Sequence, residues 1–297
     1  MGKKNIPETG IYDARELGAG KMLLLGFQHM FAMFGATVLV PILTGLDVSN
    51  TLLFAGLGTL LFHLITGGKI PAFLGSSFAF LGGYATIAPM LGEKQNIPNL
   101  EMLPYACFGV ACAGLVYVIL AGLFKAFGAK KVMRFFPPIV TGPIIIAIGL
   151  NLSSSAINNC AQNWWIAIAA ILIIVAANIW GKGMIKIIPI LLGVIGSYLL
   201  AVIFDADTRA NLAANVSAAK WFALPIKMEQ TVFGLFASGS VDGHKLLTAA
   251  ITIVPLSLAT MVEHIGDVSA ISSTCERNYI EDPGLHRTLM GDGLATT

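Results

Sequence analysis

The chain has 297 residues, of which 56% are hydrophobic and only 11% charged, with a formal net charge of +2 and a mean hydropathy of +0.79. A soluble domain carries about 25% charged residues. Because this chain has less than half of that share, it cannot cover a surface that faces water. Its composition therefore excludes a soluble enzyme, a nucleic-acid-binding protein and a disordered chain, and predicts an all-α polytopic membrane protein whose solvent is the lipid bilayer.

Apolar runs that are long enough to cross a membrane recur along the whole chain. A helix needs about 20 residues to cross the hydrocarbon core. We predict eight spans and the start of a ninth near residue 285, after a polar N-terminal tail at 1–21. The predicted spans are 22–45, 51–66, 70–91, 103–127, 137–152, 164–181, 185–204 and 245–270. The long connection 205–244 is predicted to be extracytoplasmic, at the membrane interface or outside it.

The basic residues predict the orientation of these spans. With the N-terminus in the cytoplasm, 13 of the 18 Lys and Arg residues fall on the inside. The five exceptions are Lys94, Arg209, Lys220, Lys227 and Lys245. This asymmetry follows the positive-inside rule. It predicts a multi-pass protein of the cell inner (plasma) membrane with a cytoplasmic N-terminus.

The third run, 70–91, is not a plain helix. It contains Pro71, Gly75, a Gly82-Gly83 pair and Pro89, which together predict a broken span. Irregular backbone at membrane depth is tolerated only where it faces protein or a wet cavity. Broken spans of this kind are typical of the binding sites of transporters.

The eighth run carries two acidic residues, Glu263 and Asp267. They are four residues apart and therefore share one face of a helix. A carboxylate inside a bilayer is costly and usually faces an interior cavity, which makes both residues functional candidates. The alternative is that the helix ends near Glu263 and both acids are solvated at a cytoplasmic mouth. The other fourteen acidic residues are predicted to lie in loops, tails or span ends, and His264 is predicted to be structural.

A second polar pair, Gln28-His29, lies in the first run and resembles the Glu263-His264 pair of the eighth. Seven spans separate the two pairs, as an inverted repeat with an odd number of spans requires. This favours a supporting role for Gln28 and His29 at the site. A polar pair in a span is as often a contact between helices, and that reading stays open.

The sequence contains none of the motifs GxxxxGK[ST], HExxH or GxSxG and no metal-ligand spacing, so it predicts no metal site and no cofactor. A remote alternative is an intramembrane enzyme that uses Glu263 and Asp267 as acid and base. A channel is a further alternative, although one pair of acids forms a ring only by oligomerisation.

Several motifs together resemble the nucleobase–cation symporter-2 family, also called nucleobase–ascorbate transporters, and in particular its uracil-transporting branch. The motifs are QHMFAMFGATVLVPIL (28–43), GKIPAFLGSSFAF (68–80), KWFALP (220–225), VEHIGD (262–267) and DPGLHRTLMGDGLATT (282–297). The similarity runs from about residue 20 to residue 297.

The resemblance implies a fold of 14 spans in two inverted seven-span repeats, divided into a core and a gate domain. The core would take 22–127 and 245–297, the gate would take 128–204, and a short strand would break span 3. The resemblance also implies the site. The backbone at Phe78, with Ser77 beside it, would contact the nucleobase, and Glu263 would bind the ring. Asp267 stands where a well-known uracil permease has a histidine, which keeps a purine substrate open.

The function implied is import of uracil by proton symport, driven by the proton gradient, with Glu263 and Asp267 in proton coupling. A carboxylate accepts N–H bonds and, once protonated, also donates to a carbonyl. Phe78 or Tyr84 would provide an apolar face for the ring. The alternatives are a xanthine or uric acid permease and coupling to sodium. A homodimer is also compatible with the resemblance.

The resemblance also has a consequence for the C-terminal end of the sequence. The second substrate glutamate of the family belongs to a tyrosine-glycine-glutamate-asparagine motif on span 10, and this motif is not among the 297 residues. The sequence corresponds to roughly two-thirds of a usual member. We therefore expect these residues alone to insert into a membrane without binding uracil measurably.

Overall fold

The computed structural model is almost wholly helical in the part of the chain that it describes. The described residues are 16, 18–92, 97–132, 134, 138–182, 184–187, 189–219, 224–237, 239 and 241–297. The helices are α1 (Ala19–Ala32), α2 (Phe34–Thr44), α3 (Val48–Thr66), α4 (Leu81–Ile87), α5 (Leu103–Phe127), α6 (Ala129–Val132), α7 (Pro138–Gln162), α8 (Trp164–Trp180), α9 (Met184–Ile187), α10 (Pro189–Phe204), α11 (Ala206–Ala218), α12 (Val232–Ala237), α13 (Gly243–Ile253), α14 (Ser257–Thr274) and α15 (Leu285–Thr296).

Three helical segments of the described chain are long and apolar enough to cross a membrane: Val48–Thr66, Leu103–Phe127 and Gly243–Thr274. Two bent pairs, Ala156–Gln162 with Trp164–Trp180 and Pro189–Phe204 with Ala206–Ala218, raise this number to five if each pair is one span. The prediction of a membrane-spanning helical protein is therefore confirmed, while the count of eight spans and the inverted repeat stay predictions.

The third run is broken as predicted, but it contains no strand. Residues 71–77 have no regular structure, and a 3₁₀ turn at Phe78–Phe80 then leads into α4. A strand needs a neighbouring backbone that pairs with it. Within the described ranges a side chain bonds to the backbone of this segment instead: the Thr59 hydroxyl accepts the N–H of Leu74 at 3.0 Å.

The chain divides into two compact units. The first contains the described residues of Met1–Gly35 and Leu152–Leu224. Within it α8 and α10 pack side by side, with Gly193 and Gly196 of α10 facing Ile174 and Ile173 of α8. The polar helix α11 follows α10 and has no buried residue. The predicted N-terminal tail lies mostly outside the described residues, and the core and gate boundaries stay predictions.

The second unit contains the described residues of Ala36–Asn151 and Pro225–Thr297. Its centre is α5, which packs against α15 and α13. Two buried apolar clusters lie along α5. The first joins α5 to α3, α14 and α15 through residues such as Phe62, Leu120, Met261 and Leu289. The second joins α5 to α4 and α13 and includes Tyr84 and Ile253.

The outer faces of the second unit are apolar. Leu57, Leu60 and Leu64 of α3 and Leu115 and Ile119 of α5 are exposed. Such a surface is costly in water, whereas lipid chains cover it at no cost. The outer faces of the same helices that build the core are therefore suited to a bilayer.

Candidate functional site

Glu263 lies well inside a helix. α13, a 3₁₀ turn at Val254–Leu256 and α14 form one continuous helical segment, Gly243–Thr274. α14 therefore continues past both acids to Thr274, and the alternative in which the helix ends near Glu263 is wrong.

Around Glu263, α14 has one buried face and one open face. Met261, Ile265 and Val268 are buried in the first cluster, as the spacing of three and four residues predicts for a core-facing stripe. Glu263 is half-buried and Asp267 is exposed, and the two share the neighbouring, open face. The structure thus presents the two predicted site residues together on the accessible side of the helix.

His264 belongs to the buried stripe rather than to the face of the two acids. Its Nδ1 atom lies 2.8 Å from Oδ2 of Asp292, and the two side chains are only 9% and 19% exposed. His264 points away from the face of the two acids, as predicted. The prediction that Asp292 lies in a loop, a tail or a span end is wrong, because Asp292 lies within α15 and faces the interior of the unit.

The sequence Gly291-Asp292-Gly293 explains how α15 reaches this position. A Cβ atom at Gly291 would lie 2.9 Å from the ring of Phe62 on α3, and one at Gly293 would lie 2.6 Å from the Cβ of Tyr117 on α5. Successive residues of a helix point about 100° apart. The two glycines therefore let α15 approach α3 and α5 closely, while Asp292 between them points at α14.

Tyr117 of α5 lies beside the helix that carries Asp292. Its ring is buried, and its Cβ lies 2.6 Å from the position of a Cβ added at Gly293, the residue next to Asp292. On α14 itself, Glu263 precedes His264 directly and lies one turn before Asp267. The site therefore groups three carboxylates and one imidazole on α14 and α15, with the buried ring of Tyr117 on α5 beside α15. A partly exposed cluster with this composition can exchange protons and accept hydrogen bonds from N–H donors.

Ser77 and Phe78 lie at the break of the third run, in the same unit as Glu263. Ser77 begins the 3₁₀ turn, and its hydroxyl accepts the N–H of Ala79 at 3.3 Å. Phe78 is partly buried, and its N–H stands in the first turn, where no preceding carbonyl of the helix can accept it. Among the described residues no hydrogen bond joins Ser77 or Phe78 to Glu263 or Asp267.

The remaining sequence candidates are Tyr84, Gln28 and His29. Tyr84 is buried in the second cluster with its hydroxyl 3.7 Å from Sγ of Cys107, so its ring is part of the core. Gln28 and His29 lie on α1, in the first unit, and their supporting role stays a prediction. No three His, Cys, Asp or Glu side chains of the described chain are grouped so that they could hold a metal ion.

Sequence reasoning missed Asp292 and Tyr117. A signal for Asp292 was present, because a carboxylate flanked by two glycines at the start of a predicted span indicates a helix that approaches its neighbours closely. Nothing in the sequence around Tyr117 distinguishes it from other aromatic residues of a span.

Comparison with known proteins agrees with this architecture. Residues 20–297 match the model of the Permease family. The chain is 38% identical to the uracil permease of Bacillus caldolyticus over 304 residues, which are 98% of this chain and 64% of that protein. It is 38% identical to the uracil permease of Bacillus subtilis (strain 168) over 283 residues, which are 91% of this chain and 60% of that protein. The chain thus spans less than two-thirds of the length of these relatives. It is a multi-pass membrane protein, and it belongs to the Permease family.

Proposed function

We propose that the protein imports uracil across the cell inner membrane by symport with protons. The relatives that match almost the whole chain are named uracil permeases, and the chain covers about 60% of their length. The observation that carries the proposal is the placement of Glu263. It lies on the open face of a continuous membrane helix, in the same compact unit as the broken third run.

The chemistry of this unit suits a small, planar and neutral ring. Uracil offers alternating N–H donors and carbonyl acceptors. The Glu263 carboxylate would accept a ring N–H, and in its protonated form it would also donate to a ring carbonyl. The backbone at Phe78 would supply a further donor, with Ser77 holding the turn. Because the protonated and charged forms of Glu263 offer different hydrogen bonds, proton occupancy and substrate affinity would be coupled.

Asp267 supports a second candidate, a purine such as xanthine or uric acid, with sodium as the coupling ion. The position carries a carboxylate on the same open face as Glu263, which offers a second acceptor to a ring with more N–H groups. An intramembrane enzyme is disfavoured, because a permease returns its substrate chemically unchanged and every described feature of the site is accounted for by binding.

Uptake of radiolabelled uracil by cells that express the full-length protein tests the proposal. We expect accumulation that an uncoupler abolishes, that replacement of sodium leaves unchanged and that excess xanthine does not compete. Competition by xanthine would support the purine candidate, and dependence on sodium would exclude proton coupling. Recovery of the label in a different compound would support an enzyme.

The proposal needs no cofactor and places the N-terminus in the cytoplasm. In a background without the native cysteines, we expect a cysteine at the exposed Lys131 to react with an impermeant reagent only after the cells are opened. Labelling of intact cells would show that the orientation is the opposite one.

A homodimer stays a prediction. Light scattering of the purified protein tests it, and a monomeric mass would contradict it.

A further inference from the structure

One ionisable side chain interrupts the buried stripe of α14. His264 lies three residues after Met261 and four before Val268, so its imidazole faces the same apolar cluster as these two residues. Burying a polar ring in such a stripe is costly unless its nitrogen atoms are hydrogen-bonded. An aliphatic side chain would fill the same space without that cost, which indicates that the ring has a task beyond packing.

Asp292 satisfies one nitrogen atom of the ring and leaves the other without a partner. Nδ1 lies 2.8 Å from Oδ2 of Asp292, and the two groups form an ion pair when the ring is protonated. Nε2 is enclosed and has no hydrogen-bond partner among the described residues. A purely stabilising pair would be expected to satisfy both nitrogen atoms. The contact between Nδ1 and Asp292 is therefore the polar interaction that explains an imidazole at this position.

The position of Asp292 is fixed independently of α14. Gly291 and Gly293 hold α15 in close contact with Phe62 and Tyr117, so α15 cannot turn without a clash. The contact with Asp292 therefore fixes the rotation of α14 about its own axis together with the packing of Met261 and Ile265. Glu263 precedes His264 in the chain and points about 100° away from it, so the same rotation decides where the Glu263 carboxylate faces.

We propose that His264 is a positioning residue of the substrate site, and that its bond to Asp292 locks α14 in the rotation that presents Glu263 to the nucleobase. This inference rests on the proposed function, because it assigns Glu263 to the substrate. His264 itself does not contact the substrate. It acts through the helix.

The test compares variants that keep the bond with variants that remove it. In His264→Asn the amide nitrogen stands where Nδ1 stood and still donates to Asp292. His264→Leu and Asp292→Leu have similar bulk and lack the bond. We expect each leucine variant to raise the apparent KM for uracil by about tenfold, the effect of losing a hydrogen bond to a charged group, and His264→Asn to restore most of the affinity. The double leucine variant is expected to be no worse than either single one.

A second measurement follows the rotation of α14 without any substrate. Ala270 is exposed on the face of Glu263 and Asp267, and an Ala270→Cys variant without the native cysteines reports that face by its rate of reaction with N-ethylmaleimide. We expect His264→Leu to change this rate and His264→Asn to return it to the original value. Leu123→Cys on the exposed side of α5 is the control whose rate should stay constant.

The two measurements separate the inference from the proposed function. A wild-type protein that does not take up uracil refutes the proposed function, and the labelling rates then decide the inference alone. The inference is overturned if His264→Asn behaves like His264→Leu, if the effects of the two leucine variants multiply, or if the rate at Ala270→Cys is the same in every variant.

Discussion

The hydroxyl of Thr59 on α3 pairs with the backbone of Leu74 in the broken third run. It accepts the N–H of Leu74 at 3.0 Å, and its oxygen lies 3.1 Å from the carbonyl of the same residue. Backbone groups at membrane depth need internal partners, because the hydrocarbon offers none. One threonine side chain thus does for Leu74 what a neighbouring strand would do in a sheet.

Replacing Thr59 therefore has a predictable cost. Thr59→Val keeps the shape and removes the hydroxyl, which leaves the N–H of Leu74 without a partner. We expect a loss of about 1–3 kcal/mol, the penalty of an unsatisfied buried donor, seen as a lower melting temperature of the detergent-purified protein. Thr59→Ser keeps the hydroxyl and is the matched control. Equal stability of the valine variant and the wild type would mean that the bond does not hold the break in place.

The close contact between α15 and α5 gives a second prediction. A Cβ atom at Gly293 would lie 2.6 Å from the Cβ of Tyr117 and 2.8 Å from the carbonyl oxygen of Gly114. Gly293→Ala is therefore expected to separate the helices and to destabilise the protein by about 1–3 kcal/mol. Gly122→Ala on α5 is the control, because no atom lies within 4 Å of its added Cβ and alanine favours a helix. If both variants were equally stable, α15 would not pack on α5 as described.

Asp47 gives a prediction about pH. Its side chain accepts the N–H of Asn50 at 3.0 Å and caps α3, and it pairs with Lys227 at 2.6 Å. The hydrogen bond from Lys227 holds the pKa of the Asp47 carboxyl below its ordinary value of 3.8. A lowered folded-state pKa adds stability above the unfolded value, and this stability is lost as the pH falls through the folded value.

Asp47→Asn keeps the cap, since asparagine caps a helix as well as aspartate does, and it loses the ion pair. Because Lys227 is half-exposed, we expect a loss of only about 0.5–1 kcal/mol at pH 7. The difference between the variant and the wild type should begin to shrink below about pH 4 and disappear below the folded-state pKa of Asp47, where protonation neutralises it. Thermal unfolding at several pH values measures it, and a difference that grows on acidification would contradict the assignment.

Particular residues show how much of the structure could be predicted from the sequence. Pro71 and Gly75 predicted the break of the third run, and the spacing of Glu263 and Asp267 predicted that they share a face. The strand predicted for the break failed, because pairing depends on which group lies beside the segment, and here it is Thr59, fifteen residues away. The bond between His264 and Asp292 joins two helices. It depends on their relative rotation, and no local pattern contains that information.

Asp267 is expected to tune transport rather than to be required for it. It is exposed and shares the face of Glu263, so the proposed site places it near the ring without making it the principal acceptor. Asp267→Asn should keep uracil uptake and shift its dependence on pH, because one of two neighbouring carboxylates no longer titrates. Uptake rates measured between pH 5 and 8 test this, and complete loss of uptake would give Asp267 the principal role instead.

Glu263→Gln tests the central claim most directly. Glutamine keeps the size of the side chain and one acceptor, but it can neither carry a charge nor bind and release a proton. Uptake of radiolabelled uracil is measured in cells that express equal amounts of the wild type, Glu263→Gln and the control Glu101→Gln, whose carboxylate is exposed and pairs with Lys245. We predict that Glu263→Gln abolishes accumulation against a gradient while the control retains it. Accumulation at the wild-type level by Glu263→Gln would show that this carboxylate neither binds the nucleobase nor couples it to protons.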